Sequence, residues 1–488
     1  MVKKGREDAG SGGDALKEIR FGTSGWRGII ADDFTFERSR LVVAAIARYM
    51  RDSGEAQRGV LVGHDTRFLA EEFASDAAAL LADMGIDVLL CSSPVPTPAI
   101  ASVILGRGLG GALNFTASHN PSIYQGIKFS PSWGGPALPQ TTGAIEDHVA
   151  AFQRDGLPAG PGVRGRIEPF DPAPQYLSQL AGVIDLKRIA RSGTRIVYDA
   201  LYGTGAGFLD RVLSEAGCDV RTLHAERDPL FGGGPPEPSA DRLGELARLA
   251  EAESAVGLST DGDADRFGVV GSLGEYYEPN VVLSLLAEYL LDKRGMEGDL
   301  ARSVATTGML DLIAAFHGRQ CHETPVGFKY IGQMISRNQL AMGGEESAGM
   351  SIRGHVPEKD GILACLLVAE MVAATGKSMA ELKSDLDRRY GTMYSVRVNL
   401  QLNDDLAGRL RSILRSPPER VGELGAGKLL SVDGTKWIYD GGDWVLLRLS
   451  GTEPVARLYV ESADKDRFEA LKSAFSRWIT GEEAGEEG

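Results

Sequence analysis

A serine beside a histidine is the first segment that could do chemistry. The sequence Thr116 to Pro121 (TASHNP) follows a predicted strand, Ala112 to Phe115, and lies among glycines. A serine exposed at a strand end, next to His119 and a proline-fixed turn, is well placed as a nucleophile or phosphoryl carrier. Lys128 follows ten residues after Ser118. A polar turn without chemistry is the alternative for so short a pattern.

Three aspartates on alternate residues form a more specific pattern. Asp261, Asp263 and Asp265 come soon after the predicted strand Val256 to Ser259, and Arg266 is next. Carboxylates this close repel one another unless a cation lies between them, and hard oxygen ligands favour Mg²⁺ or Ca²⁺. An EF-hand loop is excluded because Arg266 replaces its sixth-position glycine. A cation beside a guanidinium suits a phosphoryl group; a solvated acidic turn is the alternative.

Two later segments offer groups that would suit a phosphorylated sugar. Gly344 to Gly349 (GEESAG) places carboxylates and a hydroxyl on a glycine-framed loop, although a surface loop is the alternative. Arg448 to Pro454 (RLSGTEP), followed by Arg457, combines two guanidinium groups, two hydroxyls and backbone N–H groups around Gly451. Such a set can bind a phosphate dianion.

One glycine-rich segment is set aside. Gly203 to Gly207 (GTGAG) is similar to a dinucleotide-binding fingerprint, but the required spacing fails at Phe208. We therefore expect a tight turn there and no nucleotide.

Alternating strands and helices must position these segments. Val60 to Val62 and Ile86 to Cys91 are predicted as strands on either side of a helix, Ala70 to Met84. The alternation restarts near Arg195 and again near Tyr277, which predicts three consecutive α/β domains with mixed, mostly parallel sheets. In the last segment the strands are adjacent, which predicts a smaller C-terminal α+β domain. The predicted domains are 14–165 with Ser118, 166–274 with the aspartates, 275–392 with the GEESAG loop, and 393–482 with the RLSGTEP loop.

Composition excludes several classes of function. The chain has 488 residues and a formal net charge of −15, which argues against a nucleic-acid partner. The start lacks a secretory pattern, and the apolar stretch Ile362 to Ala374 is too short to span a bilayer, so we expect a buried core helix and no membrane partner. Four dispersed cysteines indicate reduced thiols in a cytoplasmic protein, namely Cys91, Cys218, Cys321 and Cys365.

In this order, the segments together resemble the α-D-phosphohexomutase superfamily over nearly the whole chain. Phe21 to Gly28 (FGTSGWRG) is similar to the opening motif of that family. Pro325 to Lys329 (PVGFK) is similar to a third-domain motif whose lysine contacts the substrate. The resemblance implies four domains around a central cleft, each contributing one motif.

The resemblance also implies a mechanism and a set of residues. Ser118 would be phosphorylated and would pass its phosphoryl group to a hexose monophosphate, giving a 1,6-bisphosphate that reorients and returns its other phosphate. The implied ligands of one Mg²⁺ are Ser118, Asp261, Asp263 and Asp265. The implied catalytic residues are Ser118, Arg27, Lys128 and His119, with Lys128 suited to the role if its pKa is lowered. The implied substrate-binding residues are Arg266, Lys329, Glu345, Ser347, Arg448, Ser450, Gly451, Thr452 and Arg457.

The sugar is indicated by the GEESAG loop. Its second glutamate, Glu346, is closer to the glucose-preferring members, whereas Gly349 stands where dual-specificity members have a histidine, whose role His355 could supply. We expect glucose phosphate as the preferred substrate, mannose phosphate as a second one, and glucose 1,6-bisphosphate as an activator. A metal-dependent sugar phosphatase and a non-catalytic phosphosugar-binding protein are the alternatives. Beyond this small-molecule substrate, we expect a monomer or a homodimer.

Overall fold

The computed structural model describes residues 18–22, 25–158, 160, 162–422, 424–449 and 455–481. In its described residues, the first α/β domain contains four α-helices and six strands in the order β1 (Trp26–Ile29), α1 (Phe36–Asp52), β2 (Val60–His64), α2 (Ala70–Asp83), β3 (Val88–Cys91), α3 (Thr97–Arg107), β4 (Gly111–Phe115), β5 (Tyr124–Pro131), α4 (Pro139–Asp155) and β6 (Ile167–Phe170). The sheet order is β1-β5-β4-β2-β3-β6. The neighbours β4, β2, β3 and β6 pair in parallel, whereas β5 pairs antiparallel with both β1 and β4.

The second and third domains repeat this plan with smaller mixed sheets. The second contains α5 (Ala173–Val183), α6 (Leu186–Ser192), β7 (Ile196–Asp199), α7 (Leu209–Glu215), β8 (Val220–Leu223), α8 (Gly244–Glu253), β9 (Val256–Thr260), β10 (Phe267–Val270) and β11 (Tyr276–Tyr277). The third contains α9 (Pro279–Glu288), β12 (Asp299–Ser303), α10 (Met309–Phe316), β13 (Cys321–Thr324), α11 (Phe328–Ser336), β14 (Leu340–Glu345), β15 (Gly349–Ile352), α12 (Gly361–Thr375) and α13 (Met379–Tyr390). Their sheet orders are β11-β10-β9-β7-β8 and β13-β12-β14-β15.

The C-terminal domain has a different construction, with strands adjacent in sequence. It contains β16 (Tyr394–Gln401), α14 (Asp404–Arg415), β17 (Lys428–Leu430), β18 (Thr435–Ile438), β19 (Trp444–Leu449), β20 (Val455–Ser462) and α15 (Lys465–Thr480). All neighbours in its sheet, β16-β20-β19-β18-β17, are antiparallel. The predicted fold class, three α/β domains followed by a smaller α+β domain, is confirmed.

One predicted boundary needs correction. Strand β6 follows the predicted boundary at residue 165, yet it pairs in parallel with β3 of the first sheet. The backbone ladder therefore assigns residues up to Phe170 to the first domain. Strands β1 and β5 were also not predicted from the sequence, because their glycines interrupt the apolar pattern of a strand.

Helix α12 ties the second and third domains together. The predicted core helix is apolar around its circumference and is buried from Gly361 to Val372, as expected for a helix enclosed by other elements. The side chain of Asp360 caps its first turn by accepting from the Leu363 N–H. Among the described residues, no single helix is long and apolar enough to cross a bilayer; α12 and α13 pass such a test only as a pair, and they bend by 82° where they meet.

Candidate active site

Ser118 lies in the turn after β4 with a strained backbone. Its φ is +51°, a left-handed conformation that is uncommon for a residue with a side chain. The Ser118 N–H donates to Thr116 Oγ1 at 2.9 Å, and the Ser118 hydroxyl donates to Asp261 Oδ2 at 2.8 Å. The sequence predicted an exposed serine, but Ser118 is only 1% exposed because the aspartate loop of the second domain covers it.

Arg67 holds this turn in place. Its guanidinium is fully buried and forms an ion pair with Asp65 at 3.1 Å. It also donates to four backbone carbonyl oxygens of the turn and the segment after it, those of Ser118, Asn120, Pro121 and Tyr124, at 2.6 to 3.1 Å. Arg67 was not predicted from the sequence, where its local indication is the charged pair D-x-R directly after a buried strand.

The three aspartates converge in the loop between β9 and β10. Each offers a carboxylate oxygen within 4.8 Å of the others, and all three side chains are buried. Burial, with the charges of Asp263 and Asp265, raises the pKa of Asp261 well above its ordinary value. Within the described part of the chain, Asp263 Oδ1 and Asp265 Oδ1 have no hydrogen-bond partner. Buried oxygens of this kind fit a hard cation such as Mg²⁺, so the loop could hold a metal.

Two lysines face the aspartates from other domains. Lys128 Nζ lies 2.5 Å from Asp263 Oδ2 and 2.8 Å from Asp265 Oδ2, and Lys359 Nζ lies 3.0 Å from Asp265 Oδ2. Burial alone would lower the pKa of Lys128, but Asp263 and Asp265 outweigh it and the pKa is raised. Lys128 was expected to suit acid–base catalysis if its pKa was lowered, and the structure instead gives it a raised pKa. Lys359, in the charged triplet before α12, was missed because nothing local connects it to the aspartates.

Arg27 and His119 complete the surroundings of Ser118. Arg27 Nη1 donates to Asn120 Oδ1, and burial is the main reason that the pKa of Arg27 is lowered to about 10. His119 Nδ1 lies 3.5 Å from the Ser118 hydroxyl oxygen. Burial, followed by the charges of Arg266 and Arg27, lowers the pKa of His119 well below its ordinary value, so its imidazole is neutral.

The GEESAG segment is not a surface loop. Glu345 ends the buried strand β14, is 4% exposed, and accepts from the Gly327 N–H at 2.7 Å, because the 325–329 segment packs over it. Burial, with repulsion from Glu346, raises the pKa of Glu345 to about 7. Half-buried Lys329 is the second residue of α11, and burial lowers its pKa while the charge of Glu345 opposes this.

Two arginines flank the RLSGTEP turn. Arg448 on β19 and Arg457 on β20 are direct partners across the antiparallel ladder. Like charges directly opposite each other are unfavourable unless an anion joins them, and a phosphate dianion would do so. Arg448 Nη2 also contacts Asp433 Oδ2 at 3.2 Å. Ser450, Gly451 and Thr452 of the predicted phosphate site lie outside the described residues.

A cleft of about 260 Å³ lies where the second, third and fourth domains meet. Arg266 and Ser347, both predicted to bind substrate, line it together with Glu346, Arg397 and Tyr459. His355 does not line this cleft. Its side chain is fully buried and Nε2 lies 2.6 Å from Asp360 Oδ2, so the expectation that His355 supplies the role of the absent histidine is wrong; it supports the cap of α12.

The glycine-rich segment Gly203 to Gly207, for which a tight turn was expected, has a structural reason for its first glycine. The Gly203 N–H donates to the Ala200 carbonyl oxygen at 2.8 Å. A Cβ at Gly203 would lie 2.8 Å from the Asp261 carbonyl oxygen, so the glycine allows this turn to pack against the aspartate loop.

Comparisons with known proteins match the whole arrangement. Four family models match, described as phosphoglucomutase/phosphomannomutase alpha/beta/alpha domain I over residues 18–155, domain II over 174–274, domain III over 278–390, and the C-terminal domain over 404–477. The chain is 30% identical over 448 residues to a phosphoglucomutase/phosphomannomutase of Thermococcus kodakarensis, covering 92% of this chain and 95% of the relative. It is 31% identical over 447 residues to a phosphoglucosamine mutase of Saccharopolyspora erythraea, covering 91% and 94%.

A solved structure gives the same result. The chain is similar, with a TM-score of 0.82 and 35% identity, to a candidate phosphomannomutase from Thermus thermophilus, covering 96% of this chain and 100% of that one. The resemblance inferred from the motifs is confirmed. The chain belongs to the phosphoglucomutase/phosphomannomutase family of the α-D-phosphohexomutase superfamily, whose members are isomerases.

Proposed function

We propose that the protein interconverts hexose 1-phosphate and hexose 6-phosphate, with glucose as the preferred sugar, through a phosphorylated Ser118 and a 1,6-bisphosphate. The observation that carries this proposal is the 2.8 Å hydrogen bond between the Ser118 hydroxyl and Asp261. It places a candidate phosphoryl carrier directly against the three aspartates, in a chain that also carries paired arginines at a second, distant turn.

The chemistry follows from these positions. A free hydroxyl of the bound sugar phosphate attacks the phosphorus on Ser118, the bond between phosphorus and the serine oxygen breaks, and the sugar becomes a bisphosphate. His119, whose imidazole is neutral and lies 3.5 Å from the Ser118 hydroxyl oxygen, can take the proton of the attacking hydroxyl and return it to the leaving Ser118 oxygen. The raised pKa of Lys128 and the pKa of about 10 of Arg27 keep both side chains protonated near neutral pH, so they can offset charge on the phosphoryl group. After the bisphosphate reorients, the Ser118 oxygen attacks its other phosphate, which restores the phosphoserine and releases the isomeric monophosphate.

A divalent cation fits the site, and Mg²⁺ is the proposed ion. Asp261, Asp263 and Asp265 would hold it beside Ser118, using oxygens that include the two without partners noted above. Bound there, it would neutralise charge on the phosphoryl group during transfer. The protein buries these charges and holds Ser118 against them. Exclusion of water from this site favours transfer of the phosphoryl group to the sugar over its transfer to water.

Recognition of the sugar phosphate is assigned to the third and fourth domains. Arg448 and Arg457 would bind the phosphate that is not reacting, whichever carbon carries it. Glu345, Ser347 and Lys329 would bind the sugar hydroxyls. The cleft volume of about 260 Å³ lies near the lower limit for ligand pockets, which supports a small-molecule substrate.

The preferred sugar is the open part of this proposal, because similar proteins are named for glucose, mannose and glucosamine phosphates. The test is a coupled assay that compares the 1-phosphates of these three sugars. We expect the highest kcat/KM with glucose 1-phosphate and a lower value with mannose 1-phosphate. A preference for glucosamine 1-phosphate would overturn the choice of sugar and leave the mutase assignment in place.

The competing function, a metal-dependent sugar phosphatase, predicts a different response. Catalytic amounts of glucose 1,6-bisphosphate should stimulate a mutase, because the bisphosphate can phosphorylate Ser118. A phosphatase would release inorganic phosphate in proportion to substrate consumed. Stoichiometric phosphate release without isomerisation would therefore contradict the proposal.

A further inference from the structure

A hydrogen bond joins the third and fourth domains at the wall of the cleft. The Tyr459 hydroxyl donates to Glu346 Oε1 at 3.1 Å. Tyr459 lies on β20 of the C-terminal domain, whereas Glu346 directly follows β14 in the GEESAG loop. Both residues line the cleft, and Tyr459 is only 2% exposed. We call this contact the Tyr459–Glu346 link.

The carboxylate of Glu346 is fully engaged by the protein. Its second oxygen, Oε2, accepts from the hydroxyls of Ser303 at 3.1 Å and Thr306 at 3.4 Å. The Glu346 N–H donates to Thr306 Oγ1 at 3.0 Å. Glu346 is therefore oriented by three protein hydroxyls, although it lines the cleft together with Ser347, the next residue of the same loop.

Tyr459 also reaches the predicted phosphate site. Arg448 on β19 and Tyr459 on β20 are diagonal neighbours on one face of the antiparallel ladder, so the tyrosine lies beside the arginine while its hydroxyl donates to the Glu346 carboxylate. On its other side, Arg448 contacts Asp433, whose Oδ2 accepts from the Val326 N–H at 3.2 Å. The neighbouring Gly327 N–H donates to Glu345.

These contacts form a closed circuit around one side of the cleft. It runs from Arg448 through Tyr459 to Glu346 and Glu345, and back through the 325–329 segment and Asp433 to Arg448. An apolar contact supports it, since Trp444, Leu446 and Tyr459 pack against Val304 and Ala305 of the third domain. The distance between the phosphate-binding arginine and the GEESAG loop is thus fixed by side chains of the protein.

We propose that Tyr459 and Glu346 are positioning residues that couple recognition of the phosphate to recognition of the sugar hydroxyls. This inference rests on the proposed function. Without the link, Arg448 still binds a phosphate and the GEESAG loop still carries Ser347. The two no longer stay at the separation that a hexose phosphate requires, so the intact substrate loses more affinity than phosphate alone.

The test compares Tyr459→Phe with a matched control, Tyr289→Phe. Tyr289 is also buried and donates its hydroxyl to a glutamate, Glu370, at 2.6 Å, but it lies outside the cleft lining. For Tyr459→Phe we expect KM for glucose 1-phosphate to rise about tenfold, the lower end of the contribution of a hydrogen bond to a charged group. We expect kcat and the inhibition constant of inorganic phosphate to change less than about threefold. Tyr289→Phe should lower the melting temperature without changing KM.

A double-mutant cycle tests the coupling. Glu346→Ala should raise KM as Tyr459→Phe does, and the double variant should be no worse than Glu346→Ala alone, because both changes remove the same bond. Glu346→Gln, which keeps an oxygen acceptor for Tyr459, should stay within about threefold of the wild type. Multiplicative effects, about a hundredfold in the double variant, or equal KM values for Tyr459→Phe and Tyr289→Phe, would overturn the proposal.

Failure of the proposed function is recognised separately. If the wild-type protein does not isomerise glucose 1-phosphate, that function fails, and hydrogen–deuterium exchange then tests the link by itself. Faster exchange of β20 and of residues 345–348 in Tyr459→Phe than in Tyr289→Phe supports the link. Equal exchange in the two variants contradicts it.

Discussion

The proposed reaction side of the molecule, formed by Ser118 and the aspartate loop, differs in construction from the proposed recognition side, formed by the GEESAG loop and the Arg448–Arg457 pair. On the reaction side, charges are buried and compensated by other protein charges at 2.5 to 3.0 Å. On the recognition side, two arginines face each other across a ladder, and Ser347 and Lys329 remain partly exposed.

This difference fits two different tasks. In the proposed reaction, phosphoryl transfer needs reacting groups held at one geometry, whereas the bisphosphate that turns around needs a surface that accepts either of its ends. The C-terminal domain has its own apolar core, while one core cluster spans the second and third domains and reaches the first. The C-terminal domain thus packs as a separate unit, and the Tyr459–Glu346 link and the apolar contact around Tyr459 hold it against the third domain.

The largest expected effect is on the reaction side. Ser118→Ala removes the phosphoryl carrier and should lower the rate of glucose 1-phosphate isomerisation at least about 10⁴-fold, measured in the coupled assay. Intact mass should show that this variant takes up no phosphate from glucose 1,6-bisphosphate. Ser122→Ala, in the same turn, is the control and should keep the wild-type rate. A wild-type rate in Ser118→Ala would remove the reaction side from the mechanism.

The next effect concerns the metal. Asp263→Asn, or removal of Mg²⁺ with a chelator, should lower the rate by about 10²- to 10³-fold, because charge on the transferring phosphoryl group is no longer neutralised. Calorimetric titration should show weaker Mg²⁺ binding in Asp263→Asn. The exposed Asp219 offers the control Asp219→Asn, which should bind Mg²⁺ normally. Full activity in the chelated protein would exclude a catalytic metal.

A smaller effect is expected on the recognition side, where Glu345 should make the free energy of unfolding depend on pH. The folded protein raises the pKa of Glu345 from 4.5 to about 7, so the fold binds a proton more tightly than the unfolded chain does. The stability from this proton is fully present below pH 4.5 and is lost as pH rises to about 7, a change of about 3 kcal/mol. Glu345→Gln should lack this loss. Urea unfolding of both proteins from about pH 4.5 to about 8 measures the difference, and parallel pH profiles would contradict it.

The smallest expected effect is on phosphate recognition. Arg448→Lys keeps the charge but loses the planar fork of the guanidinium, and it should raise KM for glucose 1-phosphate about tenfold. Phosphorylation of Ser118 by glucose 1,6-bisphosphate at saturating concentration should remain. Arg195→Lys, at an exposed position of the second domain, is the control. A loss of kcat at unchanged KM would place Arg448 on the reaction side instead.

The sequence predicted much of the reaction side and less of the recognition side. Alternate aspartates and the TASHNP turn are local patterns, so their chemistry was visible before folding. The burial of Ser118 was not, because the covering loop comes from another domain. The GEESAG segment is short and polar, and only its pairing in a buried strand showed that it is not a surface loop. His355 failed as a substitute for a missing histidine because its orientation depends on Asp360.

By itself, the sequence determined the order of the motifs, the α/β alternation and the type of metal ligand, since these depend on residue identity and short-range spacing. Tertiary structure alone decided which charges meet. Lys359 reaches Asp265, Arg67 holds the Ser118 turn, and Tyr459 contacts Glu346, although each pair is far apart along the chain. The physical reason is that ion pairs and hydrogen bonds depend on distance in space. Residues far apart along the chain meet only after folding, and no sequence spacing predicts such a contact.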